Sequence, residues 1–76
     1  MERNDYAILK FGERVKDLRL AKDWSQTDLG YEVGVDPQTI RRIEKGRQDP
    51  SLSIIVALAQ ALGCKIDDLI TEDLLK

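Results

Sequence analysis

Apolar residues recur along this chain at helical spacing, and no run alternates as a half-buried strand would. Ile8, Phe11, Val15 and Leu18 form one stripe and predict a first helix from about Ile8 to Lys22. A second helix is announced by Ser25, a good N-cap. Asp28 three residues on completes an approximate capping box, and Trp24 stands ready as a hydrophobic staple. Leu29 and Val33 then face inward, and Gly34 ends the run. Asp36 caps a third helix whose first residue, Pro37, has no N–H to leave unsatisfied, and Gly46 stops it. Ser51 opens a fourth, with Leu52, Ile55, Leu58, Ala59 and Leu62 inward and Gly63 at its end. A fifth starts near Ile66 and is expected to run over 66–76, with Ile66, Leu69, Ile70 and Leu74 on one side. Five short helices with short connections predict an all-α single domain over residues 1–76.

The third helix is the most informative. At about 100° per residue, Ile40 and Ile43 fall together with Glu44 beside them, so that side is buried. Opposite lie Gln38, Arg42 and Lys45, with Arg41 on one flank and Pro37 and Thr39 at the shoulders. A solvated face normally mixes charge signs into i,i+4 pairs, whereas this one holds no acid. Gln and Arg are also the side chains whose polar groups match adenine and guanine edges in the DNA major groove. The second helix points its N-terminal N–H groups, with Ser25 and Gln26, toward the same side, an arrangement suited to a phosphate. Two helices joined by a tight glycine turn make a helix-turn-helix unit, here residues 25–45.

Composition narrows the chemistry further. The 76 residues contain no histidine and one cysteine, Cys64. The commonest general base and metal ligand are therefore missing, and neither a zinc site nor a disulfide can be assembled. Gly12, Gly30, Gly34, Gly46 and Gly63 are isolated, so no phosphate-cradling glycine loop exists. Asp67 and Asp68 diverge by about 100° on a helix and read as a solvated face rather than a catalytic pair. Catalysis is the least supported class, and no metal or cofactor is expected. No apolar run approaches the roughly 18 residues of a membrane span, and no signal peptide is visible, so a reducing cytoplasm is expected. The net charge of −2 argues against a polyanion until its distribution is read. Arg41, Arg42, Lys45 and Arg47 outnumber the acids between Gln38 and Pro50, while Asp67, Asp68, Glu72 and Asp73 crowd the C-terminal tail.

From Phe11 to Leu69 the chain resembles the lambda-repressor-like, Cro-type helix-turn-helix domains. The matching runs are FGERVKDLRLAKDWSQTDLGYEVGV, TIRRIEKGRQDPSL and ALAQALGCKIDDLI. The core of the likeness is placed at residues 14–69. The resemblance implies a five-helix domain that binds double-stranded DNA, commonly as a homodimer on a palindromic operator, and regulates transcription as a repressor does. It implies base-reading positions at Pro37, Gln38 and Arg42, with Arg41 between roles. Gln26, Thr39, Lys45 and Arg47 match backbone-contacting positions, and Arg19 and Glu44 match a buried pair that locks the first helix to the third. Gly30 departs from the alanine the family favours. Pro37 can offer a base only an apolar contact, and Asp36 would repel a phosphate, which restricts it to capping.

The tail supplies more apolar residues than one inward stripe needs. Leu69, Ile70, Leu74 and Leu75 are therefore expected to form a dimer interface away from the basic face. An alternative is an antitoxin or other protein-interaction module with a co-encoded protein partner, which would also bind its own operator. A third is a helical adaptor whose basic face meets acidic protein.

Overall fold

The computed structural model describes residues 2–75. In chain order it contains α1 (Asp5–Ala21), α2 (Gln26–Val33), α3 (Pro37–Glu44), α4 (Leu52–Leu62), α5 (Ile66–Leu69) and a 3-10 turn, Glu72–Leu74. No strand occurs among the described residues, and no helix there is long and apolar enough to cross a membrane. α3 packs against both α1 and α2, while α4 closes the far side of the core against α2 and α5.

The helix starts follow the capping chemistry. Ser25 Oγ accepts from the Asp28 N–H at 3.0 Å, and Asp28 Oδ2 accepts from the Ser25 N–H at 2.8 Å, a complete capping box. Asp36 Oδ1 accepts from the Thr39 N–H at 2.7 Å, and Ser51 Oγ from that of Ile54 at 3.2 Å. α1 begins three residues before the expected Ile8, because Asn4 Oδ1 accepts from the Ala7 N–H at 3.0 Å and so caps a longer helix. The four longer helices end alike, each in a turn where an N–H reaches the carbonyl five residues back: Trp24 to Arg19, Val35 to Gly30, Arg47 to Arg42 and Cys64 to Ala59. That turn needs one residue at positive φ. Gly34, Gly46 and Gly63 supply it at three ends, and Asp23, at φ 57°, at the first.

The core comprises Phe11, Val15, Leu29, Ile40, Ile43, Leu58, Ala59, Leu62, Leu69 and Leu74. Three expectations need correction. Leu52 does not face inward; as the first residue of α4 it precedes the buried stripe and is 76% exposed. The terminal helix expected over 66–76 is one α-turn followed by a 3-10 turn, and Lys76 lies outside the described residues. The break has a cause. The Asp68 carbonyl, which a continuing helix would bond to the N–H four residues on, accepts instead from Arg14 Nε at 2.8 Å. Asp68 and Glu72, like charges at i,i+4, also disfavour continuation. The break sends Leu69 and Leu74 into the core, at 0% and 7% exposure, so neither is available to a dimer interface. Ile66, Ile70 and Leu75 remain exposed.

Candidate nucleic-acid interface

The buried side of α3 fixes its exposed side. Ile40 and Ile43 are fully enclosed, and Glu44 beside them is 6% exposed. A lone carboxylate there would be costly. Arg19, also 6% exposed, answers it with two parallel bonds, Nε to Glu44 Oε2 at 2.7 Å and Nη2 to Oε1 at 3.0 Å. Arg19 Nη1 donates to the Trp24 carbonyl at 2.7 Å, which ties the α1–α2 turn to the same pair. Bonding to Glu44 pushes the Arg19 guanidinium pKa up, outweighing the opposite push from burial. The pair therefore joins α1 to the end of α3 as a charged, hydrogen-bonded clamp, and among the described residues no buried side-chain polar atom is left without a partner.

Two glycines bring the helices closer than any side chain would permit. A Cβ on Gly12 would collide with the Ile43 carbonyl and lie 3.0 Å from that of Glu44, so α1 rests directly on the end of α3. A Cβ on Gly30 would sit 2.7 Å from the Val35 carbonyl, inside the turn between α2 and α3. The turn as folded thus leaves no room for the alanine that the resemblance implies at Gly30. Nothing local to Gly12 shows its close approach to α3, because the residues that exclude a Cβ lie on another helix.

Held this way, α3 turns Pro37, Gln38, Arg41, Arg42 and Lys45 to solvent, with Arg47 exposed just beyond and Thr39 half-buried at the edge. Among the described residues, Arg41, Arg42, Lys45 and Arg47 form no salt bridge. Asp36 is the acid at this end, and its carboxyl is held below the usual range. The cause is bonding from the Thr39 hydroxyl and backbone N–H, aided by the nearby Arg42 charge. Ser25 is exposed at the start of α2. Gln26 is half-buried, and its Nε2 donates to Glu44 Oε1 at 3.1 Å. That bond links the Gln26 amide to the Arg19–Glu44 clamp, a connection across 18 positions that no local pattern reveals. Among the described residues no group of three His, Cys, Asp or Glu side chains gathers in a way that could hold a metal ion.

The helix-turn-helix family profile matches residues 15–69. The chain belongs to the lambda-repressor-like, Cro-type helix-turn-helix family. It is 43% identical over 56 residues to an uncharacterized HTH-type transcriptional regulator of Methanocaldococcus jannaschii, covering 74% of this chain and 85% of that one. Among solved structures it resembles the restriction-modification controller protein C.AhdI of Aeromonas hydrophila, with TM-score 0.79 and 37% identity over 82% of this chain and 94% of that one. The P22 c2 repressor, solved with a synthetic operator, gives TM-score 0.76 and 33% identity over 80% and 92%. This helix-turn-helix protein is accordingly a DNA-binding regulator of transcription, in a family of regulators rather than enzymes. In that frame α2 and α3 are the two helices of the motif, and α3 is the one whose exposed side carries Gln38, Arg41 and Arg42.

Proposed function

We propose that this protein is a sequence-specific repressor that lays α3 in the major groove of an inverted-repeat operator. Base edges are met by Gln38 and Arg42, with Arg41 beside them and Pro37 offering an apolar contact. Ser25, Gln26, Thr39, Lys45 and Arg47 meet the flanking phosphates. Gln26 has a second amide hydrogen for this task beyond the one given to Glu44. The observation that carries the reading is the acid-free outer face of α3, held rigidly by the Arg19–Glu44 clamp on its inner face. Selection of bound fragments from a random duplex library tests it. An enriched inverted repeat is expected, with Gln38→Ala and Arg42→Ala each relaxing one base pair per half-site by roughly 1–3 kcal/mol. Lys45→Ala or Arg47→Ala should weaken all sequences alike and flatten the salt dependence. Absence of any enriched sequence overturns the reading.

One α3 spans few base pairs, so two copies on half-sites about one turn, ~34 Å, apart complete the recognition. The homodimer forms through apolar side chains that the core leaves outside: Leu52 and Val56 on α4, and Ile66, Ile70 and Leu75 after it. The same exposed residues favour a second reading, a module that binds a co-encoded protein through this surface. Sedimentation separates the two. A dimer that becomes monomeric on Val56→Glu with Ile70→Glu supports self-pairing, whereas a monomeric parent turns the surface over to the other partner.

A further inference from the structure

Arg42 is not a free side chain on the outer face of α3. Its Nε donates to Gln48 Oε1 at 3.3 Å, and its Nη2 donates to Thr39 Oγ1 at 3.4 Å. The Thr39 N–H in turn donates to Asp36 Oδ1 at 2.7 Å, in the cap of α3. The guanidinium is therefore held on two sides, by the N-terminal cap of its own helix and by a residue of the following loop. The loop returns to Arg42 for a backbone reason. Gly46 at φ 70° turns the chain, and the Arg47 N–H bonds the Arg42 carbonyl at 2.9 Å. The next residue, Gln48, is thereby brought alongside Arg42 and is half-buried there. An arginine Nε–H can only donate, so the amide must present its oxygen.

We infer that Gln48 is a positioning residue for DNA readout, which fixes the edge of Arg42 that faces a base. Guanidinium groups can grip guanine O6 and N7 through Nε with one terminal nitrogen, or through the two terminal nitrogens. With Nε–H on Gln48 and one Nη2 hydrogen on Thr39, Nη1 and the remaining Nη2 hydrogen are the donors left to point outward. Holding them in place before binding also lowers the ordering cost of the contact. Gln48 thus sharpens preference at one base pair without touching that base. The inference rests on the proposed base-reading role of Arg42 and fails separately from it.

The test compares the intact protein with Gln48→Leu, close in size but lacking the amide, and with Arg42→Ala and the double variant. Each is titrated on the selected operator and on operators altered at single base pairs, over a range of salt. Arg42→Ala is expected to reduce discrimination at one base pair by about 10-fold or more. Gln48→Leu is expected to reduce discrimination at that same base pair by roughly 3- to 10-fold, with the salt slope unchanged and no further loss when Arg42 is already alanine. Unaltered helix content and denaturation midpoint in Gln48→Leu exclude a folding defect. If Arg42→Ala leaves discrimination intact, the reading role itself falls. If Arg42→Ala relaxes the base pair and Gln48→Leu does not, the positioning role alone falls. A uniform loss on all sequences that persists in the Arg42→Ala background assigns Gln48 to the phosphates and also overturns the inference.

Discussion

α3 and the segment after Gly63 begin with similar apolar spacing and end differently. Ile40 and Ile43 in α3 are both fully buried; of Ile66 and Leu69 in α5 only the second is. α3 is bracketed by an Asp36 cap bonding forward to Thr39 and by the Gly46 turn, and Gly12 lets α1 press against its last carbonyls. α5 has only the backward bond, from the Lys65 N–H to Asp68 Oδ2 at 2.9 Å, and Arg14 takes the carbonyl that its next turn would use. Apolar spacing thus says which residues favour burial. Caps, and a neighbour that fits, decide whether they stay in one helix to reach it.

The largest effect expected from breaking this contrast is at the clamp. Glu44→Ala leaves Arg19 enclosed without its partner and Gln26 without its acceptor. It should destabilise the fold by about 3–5 kcal/mol in urea denaturation. A loss below about half a kcal/mol would mean that the pair is solvated and that α3 is held by its isoleucines alone.

The C-terminal segment should respond residue by residue. Leu74 is 7% exposed and Leu75 is 82% exposed. Leu74→Ala should cost about 2–4 kcal/mol by leaving a cavity against the core. Leu75→Ala should stay within about half a kcal/mol in stability. Equal effects would mean that the chain does not divide the two side chains between core and solvent. In the proposed dimer Leu75 acts on association instead, so its alanine variant belongs in the centrifuge as well as in urea.

The contrast also marks where sequence reading works. α2, the turn and α3 were legible because Ser25, Asp28, Gly34, Asp36, Pro37 and Gly46 are local signals, each acting within a few residues of itself. Glu44 was placed inward by angle alone, and the family resemblance pointed to Arg19 as its partner. What local patterns missed is non-local. The Arg14 bond to Asp68 spans 54 positions, and Gly12 matters only because α3 lies on it. The tie from Gln26 to Glu44 and the return of Gln48 to Arg42 have no local signal either, because each forms only when the chain folds back on itself. Asn4 is the exception. Its cap was local and visible, but a helix start read from the first apolar stripe passes over polar residues ahead of it.

The smallest effect concerns pH and the start of α3. Asp36 accepts from the Thr39 hydroxyl and N–H, bonds that favour its charged form, and its carboxyl titrates below the ordinary value. A depressed folded-state pKa means that the unfolded chain takes up the proton first. The contribution to stability is therefore complete above the ordinary carboxylate range, about pH 4, and disappears as pH falls through the lowered value. Asp36→Asn keeps a side-chain oxygen for the cap while removing the titration, since asparagine caps helices about as well as aspartate. Unfolding free energies of parent and variant, measured from neutral pH down to about pH 2.5, should differ by a constant amount above roughly pH 5. That difference should shift in the variant's favour below about pH 4, where the parent's charge is lost. A pH-independent difference would remove the Asp36 charge from the set of contacts that hold the start of α3.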